Sequence, residues 1–262
     1  MTILEQLAAH ARERVEADKA QNSLDLLQAR CRALGRANGD RFRAALQKPG
    51  LSLLCEVKRA SPSKGVIAQS FPYLEIARDY EAAGADAISC LTEPKWFLGS
   101  DRIFTDIRKA VDTPMLRKDF TVDAYQLYQA RLMGADCVLL ICALLDTGTI
   151  QRYLSICEEL GLAALVEAHT AEEIASAVSA GAGIIGVNNR NLQDFSVDFD
   201  NAARLRDRIP PGVLYVAESG VHRPEDLSAV KSMGADGVLI GELLMRATDR
   251  RAKLAQLRRA AG

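Results

Sequence analysis

Eight short apolar segments follow one another along the chain at intervals of about 26 residues, and this spacing restricts the fold more than any other feature. The stretches between them carry apolar residues at helical spacing, for example in 73–83, 124–133, 150–160 and 225–233. Strands that alternate with helices favour a parallel sheet, and eight such units favour closure into a barrel. We therefore predict an α/β fold, a closed (βα)8 TIM barrel. Its strands should begin near Leu53, Asp86, Pro114, Asp136, Ala163, Ile184, Val213 and Asp236.

A repeated tripeptide marks the turns of this architecture. Gly-Ala-Asp occurs at 84–86, 134–136 and 234–236, and a weaker copy, Gly-Ala-Gly, occurs at 181–183. Each copy follows a helical pattern, and glycine just past a helix end supplies the left-handed cap. The repeat therefore indicates helix-to-strand turns in a cyclic α/β fold. An open, doubly wound sheet is the alternative, but the sequence has neither a Gly-x-Gly-x-x-Gly turn nor a Gly-Lys-Ser/Thr phosphate loop.

The length suits one domain, because a barrel of this type typically needs roughly 250 residues and the chain has 262. We predict a single domain, 1–262, with an N-terminal helical extension at 1–50 and the barrel at 51–262. The extension is either a helical plug over the barrel or a lid that contributes to the substrate site. A further helix should begin with a capping box at Thr170-Ala171-Glu172-Glu173.

Charge and cysteine content argue against several functions. The chain has 33 basic and 34 acidic residues, which gives no reason to expect binding to nucleic acid or to a membrane. The six cysteines lack zinc or redox spacing, and we interpret them as reduced thiols of the core. The start is helical and charged rather than secretory, and no apolar run approaches about 20 residues. We therefore expect a cytoplasmic protein without a membrane span.

Charged and polar residues end five of the predicted strands. Glu56 and Lys58 lie two residues apart, so they share a face of the first strand. Barrel closure brings strand ends together at one mouth, where desolvation can shift a lysine or glutamate pKa toward neutrality. A ring of structural ion pairs is the alternative, but five such strand ends favour an active site for proton transfer. The later strands end in Lys118, Glu167, Asn188 and Glu218.

Two turns of small residues predict a phosphate site. Ser219-Gly220 follows the seventh predicted strand and Gly241 follows the eighth, where barrels of this type frequently bind phosphate. Backbone N–H groups exposed at such turns and at helix N-termini favour anions. Glycines that only make tight turns are the simpler interpretation, but their occurrence after both strands favours the phosphate site.

The histidines form no metal-binding pattern. His10, His169 and His222 lie on separate segments, and no His-x-Glu or His-x-x-x-His spacing occurs. His169 shares a face with Glu167, so it is either a loop histidine with a structural hydrogen bond or a neighbour of the site. No serine lies in a Gly-x-Ser-x-Gly turn. We therefore expect no metal and no cofactor, and chemistry carried by lysine and glutamate.

Five longer motifs contain these strand-end residues. They are Glu56-Val57-Lys58-Arg59-Ala60-Ser61-Pro62-Ser63-Lys64-Gly65, Leu116-Arg117-Lys118-Asp119-Phe120, Val166-Glu167-Ala168-His169, Gly186-Val187-Asn188-Asn189-Arg190-Asn191-Leu192 and Ala217-Glu218-Ser219-Gly220. Together they resemble the signature of the indole-3-glycerol phosphate synthase family of tryptophan biosynthesis. The resemblance extends over residues 50–245 in the family's order, and the helical extension matches too.

This resemblance implies a reaction. The family closes the indole ring of 1-(2-carboxyphenylamino)-1-deoxyribulose 5-phosphate, with loss of carbon dioxide and water, to give indole-3-glycerol phosphate. The resemblance implies Lys118 as general acid, Glu167 in proton transfer during dehydration, and Lys58 near the substrate carboxylate. Glu56, Asn188 and Glu218 match polar residues around the reacting centre. Substrate or phosphate contacts are implied for Ser61, Phe120, Arg190, Ser219, Gly220, Leu239 and Gly241.

Two departures and three alternatives accompany the resemblance. Glu93-Pro94-Lys95-Trp96 replaces the family's usual acidic-aromatic stretch, and Glu242 stands where some members have serine, which leaves the backbone to bind phosphate there. The implied partner is a phosphorylated small molecule, and other enzymes of the tryptophan pathway are candidate partners. The alternatives are another phosphate-binding barrel such as phosphoribosylanthranilate isomerase, a Schiff-base lyase that uses Lys118 or Lys58, and a non-catalytic binder of a phosphorylated ligand.

Overall fold

Eight parallel strands form a closed barrel in this computed structural model, which describes residues 1–191 and 196–261. Neighbouring strands pair in chain order, and the last strand pairs with the first. The predicted α/β barrel is confirmed, and every strand begins within one residue of its predicted start. The strands are β1 (Ser52–Val57), β2 (Ala87–Leu91), β3 (Met115–Lys118), β4 (Cys137–Ile141), β5 (Ala163–Ala168), β6 (Ile184–Asn188), β7 (Leu214–Glu218) and β8 (Gly237–Ile240).

Helices cover the outside of the barrel and both of its ends. Three precede β1, and the others follow the successive strands. A short hairpin, Ala60–Ser61 with Gly65–Val66, lies directly after β1. The helices in the described residues are α1 (Ile3–Gln21), α2 (Leu24–Leu34), α3 (Asp40–Leu46), α4 (Tyr73–Ala82), α5 (Asp101–Ala110), α6 (Tyr125–Leu132), α7 (Thr147–Leu160), α8 (Ala171–Ser179), α9 (Asp200–Leu205), α10 (Asp226–Ser232), α11 (Glu242–Met245) and α12 (Arg250–Ala261).

The start of α8 corrects one prediction. The Thr170 hydroxyl accepts a hydrogen bond from the backbone N–H of Glu173 (3.2 Å), so Thr170 is the N-cap as expected. A complete capping box also needs the Glu173 carboxylate to accept from the backbone N–H of Thr170. That carboxylate instead accepts from the backbone N–H of His169 (2.6 Å). Only half of the predicted box therefore forms, and Glu173 is directed towards the end of β5.

Side-chain alternation along the strands divides the core into two layers. Leu53, Cys55 and Val57 of β1 pack with the surrounding helices, whereas Leu54 lies in the interior of the barrel. Residues two positions apart in a strand point the same way. Each interior stack therefore continues into the polar residue two positions later. The interior apolar residues that precede such a polar residue are Leu54, Leu116, Leu165 and Val216.

The repeated Gly-Ala-Asp tripeptide closes the amino-terminal end of the barrel, here called the base. Gly84, Gly134 and Gly234 have positive φ angles of 82°, 81° and 71°, as expected for left-handed helix ends. Each aspartate accepts a hydrogen bond from a backbone N–H at the start of the preceding strand. The pairs are Asp86 with Leu53 (2.9 Å), Asp136 with Met115 (2.8 Å) and Asp236 with Tyr215 (2.7 Å).

The helical extension covers both ends of the barrel. One of its helices fits the prediction of a plug, and another fits the prediction of a lid over the substrate site. In α3, Phe42 and Leu46 are buried in the interior cluster at the base, which makes this helix a plug. In α1, Leu7 and Ala11 join the same cluster from the opposite end. Two ion pairs and one hydrogen bond fix α1 over the mouth: Arg14 with Asp119 (2.7 Å), Lys19 with Asp123 (2.8 Å) and, as the hydrogen bond, His10 with Glu93 (3.1 Å).

Two further predictions concern the chain as a whole. The six cysteines are free thiols, all buried except Cys142, which is partly buried. Along the described ranges, none of the helices combines the length and apolar character that crossing a membrane requires.

Candidate active site

The carboxyl ends of the strands form a pocket beneath α1. All of the predicted site residues line this one pocket, from β1, β3, β5, β6, β7 and β8 and the loops that follow them. Side-chain alternation directs the polar strand ends inwards, because each lies two residues after an interior apolar residue. The lining residues that were predicted are Glu56, Lys58, Ser61, Lys118, Phe120, Glu167, Asn188, Arg190, Glu218, Ser219, Gly220, Leu239 and Gly241.

Lys118 lies between two carboxylates at the centre of the pocket. Its Nζ is 3.3 Å from Oε2 of Glu167 and 3.5 Å from Oε2 of Glu218. Burial disfavours the charged ammonium, but the carboxylates of Glu167, Glu218 and Glu56 outweigh it and raise the pKa of Lys118 above its ordinary value. The sequence-based expectation of a shift toward neutrality is therefore wrong for this lysine.

Glu167 is the carboxylate with the most partners. Its Oε1 accepts from Nδ2 of Asn188 (3.2 Å), whose own Oδ1 accepts from the backbone N–H of Arg190 (3.0 Å). Burial would raise the pKa of Glu167, but Lys118, His169 and Asn188 together lower it below its ordinary value. Glu167 is thus ionised at neutral pH, poised to accept a proton.

Glu218 has the opposite environment, although it lies on the other side of the same lysine. Its side chain is buried, and neither carboxylate oxygen receives a hydrogen bond from the described residues. Burial and the neighbouring charge of Glu167 raise the pKa of Glu218 to about 8. The cluster therefore holds one ionised and one protonated carboxyl group at neutral pH. Glycine at 186 is required opposite, because a Cβ there would collide with the Glu218 carboxylate.

Glu56 and Lys58 form a second acid–base pair in the pocket. Their side chains make an ion pair across one face of the end of β1, as their spacing predicts. Both are largely buried, Glu56 almost completely. Gly241 faces this pair, and a Cβ at that position would collide with the Glu56 carboxylate. The glycine is therefore needed by the acid–base pair as well as by any ligand.

The predicted phosphate loops have unusual backbone conformations. Ser219 has φ 66° and Gly220 has φ 95°, and a non-glycine residue with positive φ is uncommon outside functional sites. A Cβ at Gly220 would come within 2.9 Å of the Phe199 ring, so that position requires glycine. Gly241 directly precedes α11. Ser219, Gly220 and Gly241 all line the pocket.

Part of the pocket lining is apolar. Phe97 and Phe120 lie with their ring centroids 6.0 Å apart, and side chains of α1 complete the wall. A pocket that joins an apolar wall, a proton-transfer cluster and an anion-binding end suits an elongated ligand with an aromatic ring and a charged group. The remaining apolar lining residues include Ile3, Leu4, Leu7, Leu91, Leu139 and Ile141.

Several neighbours of the site were not predicted from the sequence. Asp119, directly after Lys118, accepts from both guanidinium nitrogens of Arg14 (3.1 and 2.7 Å) and from the Thr92 hydroxyl (2.6 Å). Burial would raise the pKa of Asp119, but Arg14 and Arg117 lower it. The run of charged residues Arg117-Lys118-Asp119 at the end of β3 was the available signal. No local pattern indicated that the partner of Asp119 would be Arg14 on α1, 105 residues away.

Glu93 explains the loop that departs from the family's usual sequence. Its carboxylate accepts from the backbone N–H groups of Lys95 (3.0 Å), Trp96 (2.7 Å) and Phe97 (3.0 Å), and it contacts Nδ1 of His10 (3.1 Å). The buried acid therefore shapes the loop that carries Phe97 into the pocket. Leu192, the last residue of one predicted motif, lies outside the described residues. Over 1–191 and 196–261, no cluster of three or more His, Cys, Asp or Glu side chains is arranged to hold a metal ion.

Comparison with known proteins gives a consistent result. The family model described as indole-3-glycerol phosphate synthase matches residues 4–257. The indole-3-glycerol phosphate synthase of Ruminiclostridium cellulolyticum is 52% identical over 256 residues, which cover 98% of each chain. The one from Endomicrobium trichonymphae is 45% identical over 256 residues, 98% of this chain and 99% of that protein.

Solved structures support the fold alone, because their sequence identity is low. A 3-hexulose-6-phosphate synthase superimposes with a TM-score of 0.67 at 19% identity, over 81% of this chain and 100% of that one. KGPDC from Streptococcus mutans gives a TM-score of 0.64 at 13% identity, over 81% and 97% of the two chains. The resemblance found in the sequence motifs is confirmed by the family model and the relatives: the chain belongs to the indole-3-glycerol phosphate synthase family.

Proposed function

We propose that this protein is an indole-3-glycerol phosphate synthase, a carbon–carbon lyase of tryptophan biosynthesis. It acts on 1-(2-carboxyphenylamino)-1-deoxyribulose 5-phosphate and releases carbon dioxide and water. The observation that carries the proposal is the position of Lys118 between the carboxyl groups of Glu167 and Glu218. This arrangement offers one carboxylate with a lowered pKa as a base, and an ammonium and a carboxyl group with raised pKa values as proton donors, which the three steps of this reaction require.

Ring closure is the first step. The ring carbon that carries the substrate carboxylate attacks the ketone carbon, and the ketone oxygen takes a proton from the ammonium of Lys118. Lys118 remains protonated in the free site, because the carboxylates around it raise its pKa. The proton is thus present before the substrate arrives. The intermediate is cationic at nitrogen, and the carboxylate of Glu167 stabilises it electrostatically.

Decarboxylation and dehydration follow. The bond to the carboxylate breaks, its electron pair restores the aromatic ring, and carbon dioxide leaves. Glu167 then removes a proton from the carbon next to nitrogen, while the hydroxyl leaves as water with a proton from Glu218, whose raised pKa suits it as a donor. The proton on Glu167 returns to Lys118, and Glu218 regains a proton from solvent. Asn188 supports this role, because it holds Oε1 of Glu167 at 3.2 Å and leaves the other oxygen towards Lys118.

Substrate binding uses the ends of the same pocket. Ser219, Gly220 and Gly241 offer backbone N–H groups to the phosphate, and Arg190 and Lys58 supply positive charge along the pocket. Lys58, paired with Glu56, lies where it can bind the substrate carboxylate until that group leaves. The aromatic ring packs between Phe120, Leu239 and the apolar side chains of α1, and Ser61 contacts the substrate from the hairpin.

The proposal extends to location and partners. We place the reaction in the cytoplasm, where six free thiols remain reduced. The partner is the phosphorylated substrate, and other enzymes of the tryptophan pathway remain candidates.

The test is formation of the indole product by the purified protein. The proposed substrate is mixed with enzyme, and indole fluorescence and released carbon dioxide are followed together. Equal amounts of both products are expected at saturating substrate. Tight binding of the substrate without turnover would instead support a non-catalytic binder, and isomerisation of a phosphoribosyl anthranilate would support the related isomerase.

A further inference from the structure

His169 lies behind the proposed base rather than in the pocket. Its Nε2 is 3.5 Å from Oε1 of Glu167, and its Nδ1 is 3.3 Å from Oε2 of Glu173 in the first turn of α8. The ring does not line the pocket, so it does not contact the substrate. The three side chains form a line that runs from the buried Glu167, through a ring that is 14% exposed, to a Glu173 carboxylate that is 23% exposed.

A structural role does not explain this placement of the ring. The backbone around His169 is held by other bonds: its N–H donates to Glu173 (2.6 Å), and its carbonyl accepts from Nδ2 of Asn201 (3.2 Å). Neither bond needs the imidazole. The Nε2 atom, in contrast, is buried and within the described residues has no hydrogen-bond partner, and it faces the Glu167 carboxylate. A buried polar atom that faces a proposed catalytic group without a full hydrogen bond suggests a function.

The charges around the ring are mostly negative. Glu167 faces it from β5, Glu173 from α8 and Glu218 from β7, and the ammonium of Lys118 from β3 contacts Glu167. The neighbouring polar groups are Asn188, Asn201 and the Cys142 thiol, which donates to the Glu173 carbonyl (3.5 Å). Burial disfavours a charged ring, but Glu173, Glu167 and Glu218 outweigh it and raise the pKa of His169 above its ordinary value.

We propose that His169, held by Glu173, is a positioning residue that keeps Glu167 ionised and its Oε1 oriented between the imidazole and Asn188. This inference rests on the proposed role of Glu167 as base. In a protonated ring both nitrogens are donors, so His169 can engage Glu167 and Glu173 together. The same ring in its neutral form can donate to only one of them. Removal of either His169 or Glu173 should therefore weaken the support of Glu167.

The first experiment measures the pH profile of turnover. In His169→Gln, which keeps a donor but never carries charge, and in Glu173→Gln, we expect the acid limb of kcat to move to higher pH by about one unit. The KM should change less than about twofold, because the ring lies outside the pocket. Glu172→Gln is the matched control, since it removes a charge from the same helical turn without contacting the ring, and its profile should follow the wild type. A uniform loss of kcat at every pH in His169→Gln and Glu173→Gln would overturn the proposal.

A second experiment does not depend on activity. The chain has only three histidines, so the NMR signal of His169 can be assigned by its loss in His169→Gln. Coupling between two titrating groups is reciprocal, so neutralising Glu167 or Glu173 should lower the titration midpoint of His169 by about one pH unit. Glu172→Gln should leave it in place. An unchanged midpoint in Glu167→Gln would overturn the proposal even if the enzyme is active. A shifted midpoint in a protein that forms no indole would remove the proposed function but leave the coupling intact.

Discussion

At the base of the barrel, Asp86 is buried beside a backbone N–H and two cations, whereas at the mouth Glu218 is buried with two oxygens that receive no hydrogen bond. Asp86 accepts from Leu53 (2.9 Å) and from Lys48 (3.2 Å), and it pairs with Arg258 (2.7 Å). Glu218 faces only the ammonium of Lys118 at 3.5 Å and lies near a second carboxylate, Glu167. Both residues are buried, with 7% of Asp86 and 1% of Glu218 exposed, so burial alone does not separate them.

The difference lies in what the carboxylates do for the fold. A buried carboxylate that accepts a hydrogen bond from a backbone N–H and forms an ion pair stabilises the native state. Its removal leaves the buried donors without partners. An acid that is buried without donors destabilises the native state, and such groups persist where the function needs them. The aspartates at the base of the barrel therefore stabilise the native state. Glu218 at the mouth destabilises it, and its carboxyl group serves the proposed reaction instead.

The largest expected effect is on turnover, which should depend on a lysine at the mouth of the barrel and not on a lysine at its base. Lys118→Met removes the proposed acid and keeps the apolar stem, so turnover should fall by about 10²–10⁴-fold. Substrate affinity should change far less, because other residues bind the phosphate. Lys48→Met is the control at the base, where the lysine pairs with Asp86 and is 60% exposed, and it should keep turnover within about twofold. Indole fluorescence measures both. A loss below tenfold in a folded Lys118→Met protein would remove Lys118 from the role of acid.

The distinction between the two ends could be predicted only in part from the sequence. The strand starts, the glycine caps and the inward direction of Lys118 and Glu167 follow from local spacing, and these predictions place all of the proposed site residues in one pocket. The directions of the pKa shifts cannot be predicted from local spacing, because each depends on the sum of charges contributed by several strands. Lys118 was expected to shift toward neutrality and shifts away from it, while Glu218, not Glu167, is the acid with a raised pKa.

Contacts over long sequence distances were also beyond prediction. Arg14 and Asp119 lie 105 residues apart, and nothing in either local pattern links them. The spacing of Glu173 predicts a capping box with Thr170. The same spacing cannot show that its carboxylate accepts instead from the backbone N–H of His169, the residue before the N-cap. In both cases the docking of one element on another decides which of several available partners a side chain takes.

The second prediction concerns stability at the base. Asp86→Ala should lower the free energy of unfolding by about 2 kcal/mol, because the Leu53 N–H and the Arg258 guanidinium lose a buried acceptor. For a domain of this size that corresponds to a decrease in Tm of about 4–8 °C. The KM and turnover should not change, since Asp86 lies at the opposite end of the barrel from the pocket. Thermal unfolding and the indole assay measure the two effects separately. A Tm equal to that of the wild type would contradict the stabilising role of the base.

The third effect has the opposite sign and belongs to the mouth. The pKa of Glu218 is raised to about 8 in the folded protein, above the ordinary value of 4.5 that applies to the unfolded chain. Between these two pH values the folded state binds more protons, so its stability falls as pH rises. In Glu218→Gln the side chain cannot ionise, so the variant should not lose stability in this way as pH rises. Its Tm should equal that of the wild type below about pH 4.5 and exceed it increasingly towards pH 8, while turnover falls. Unfolding measured at several pH values checks this, with Asp86→Asn as the matched amide substitution at the base. A Glu218→Gln protein that is less stable than the wild type at pH 8 would mean that the mouth, like the base, contributes to stability.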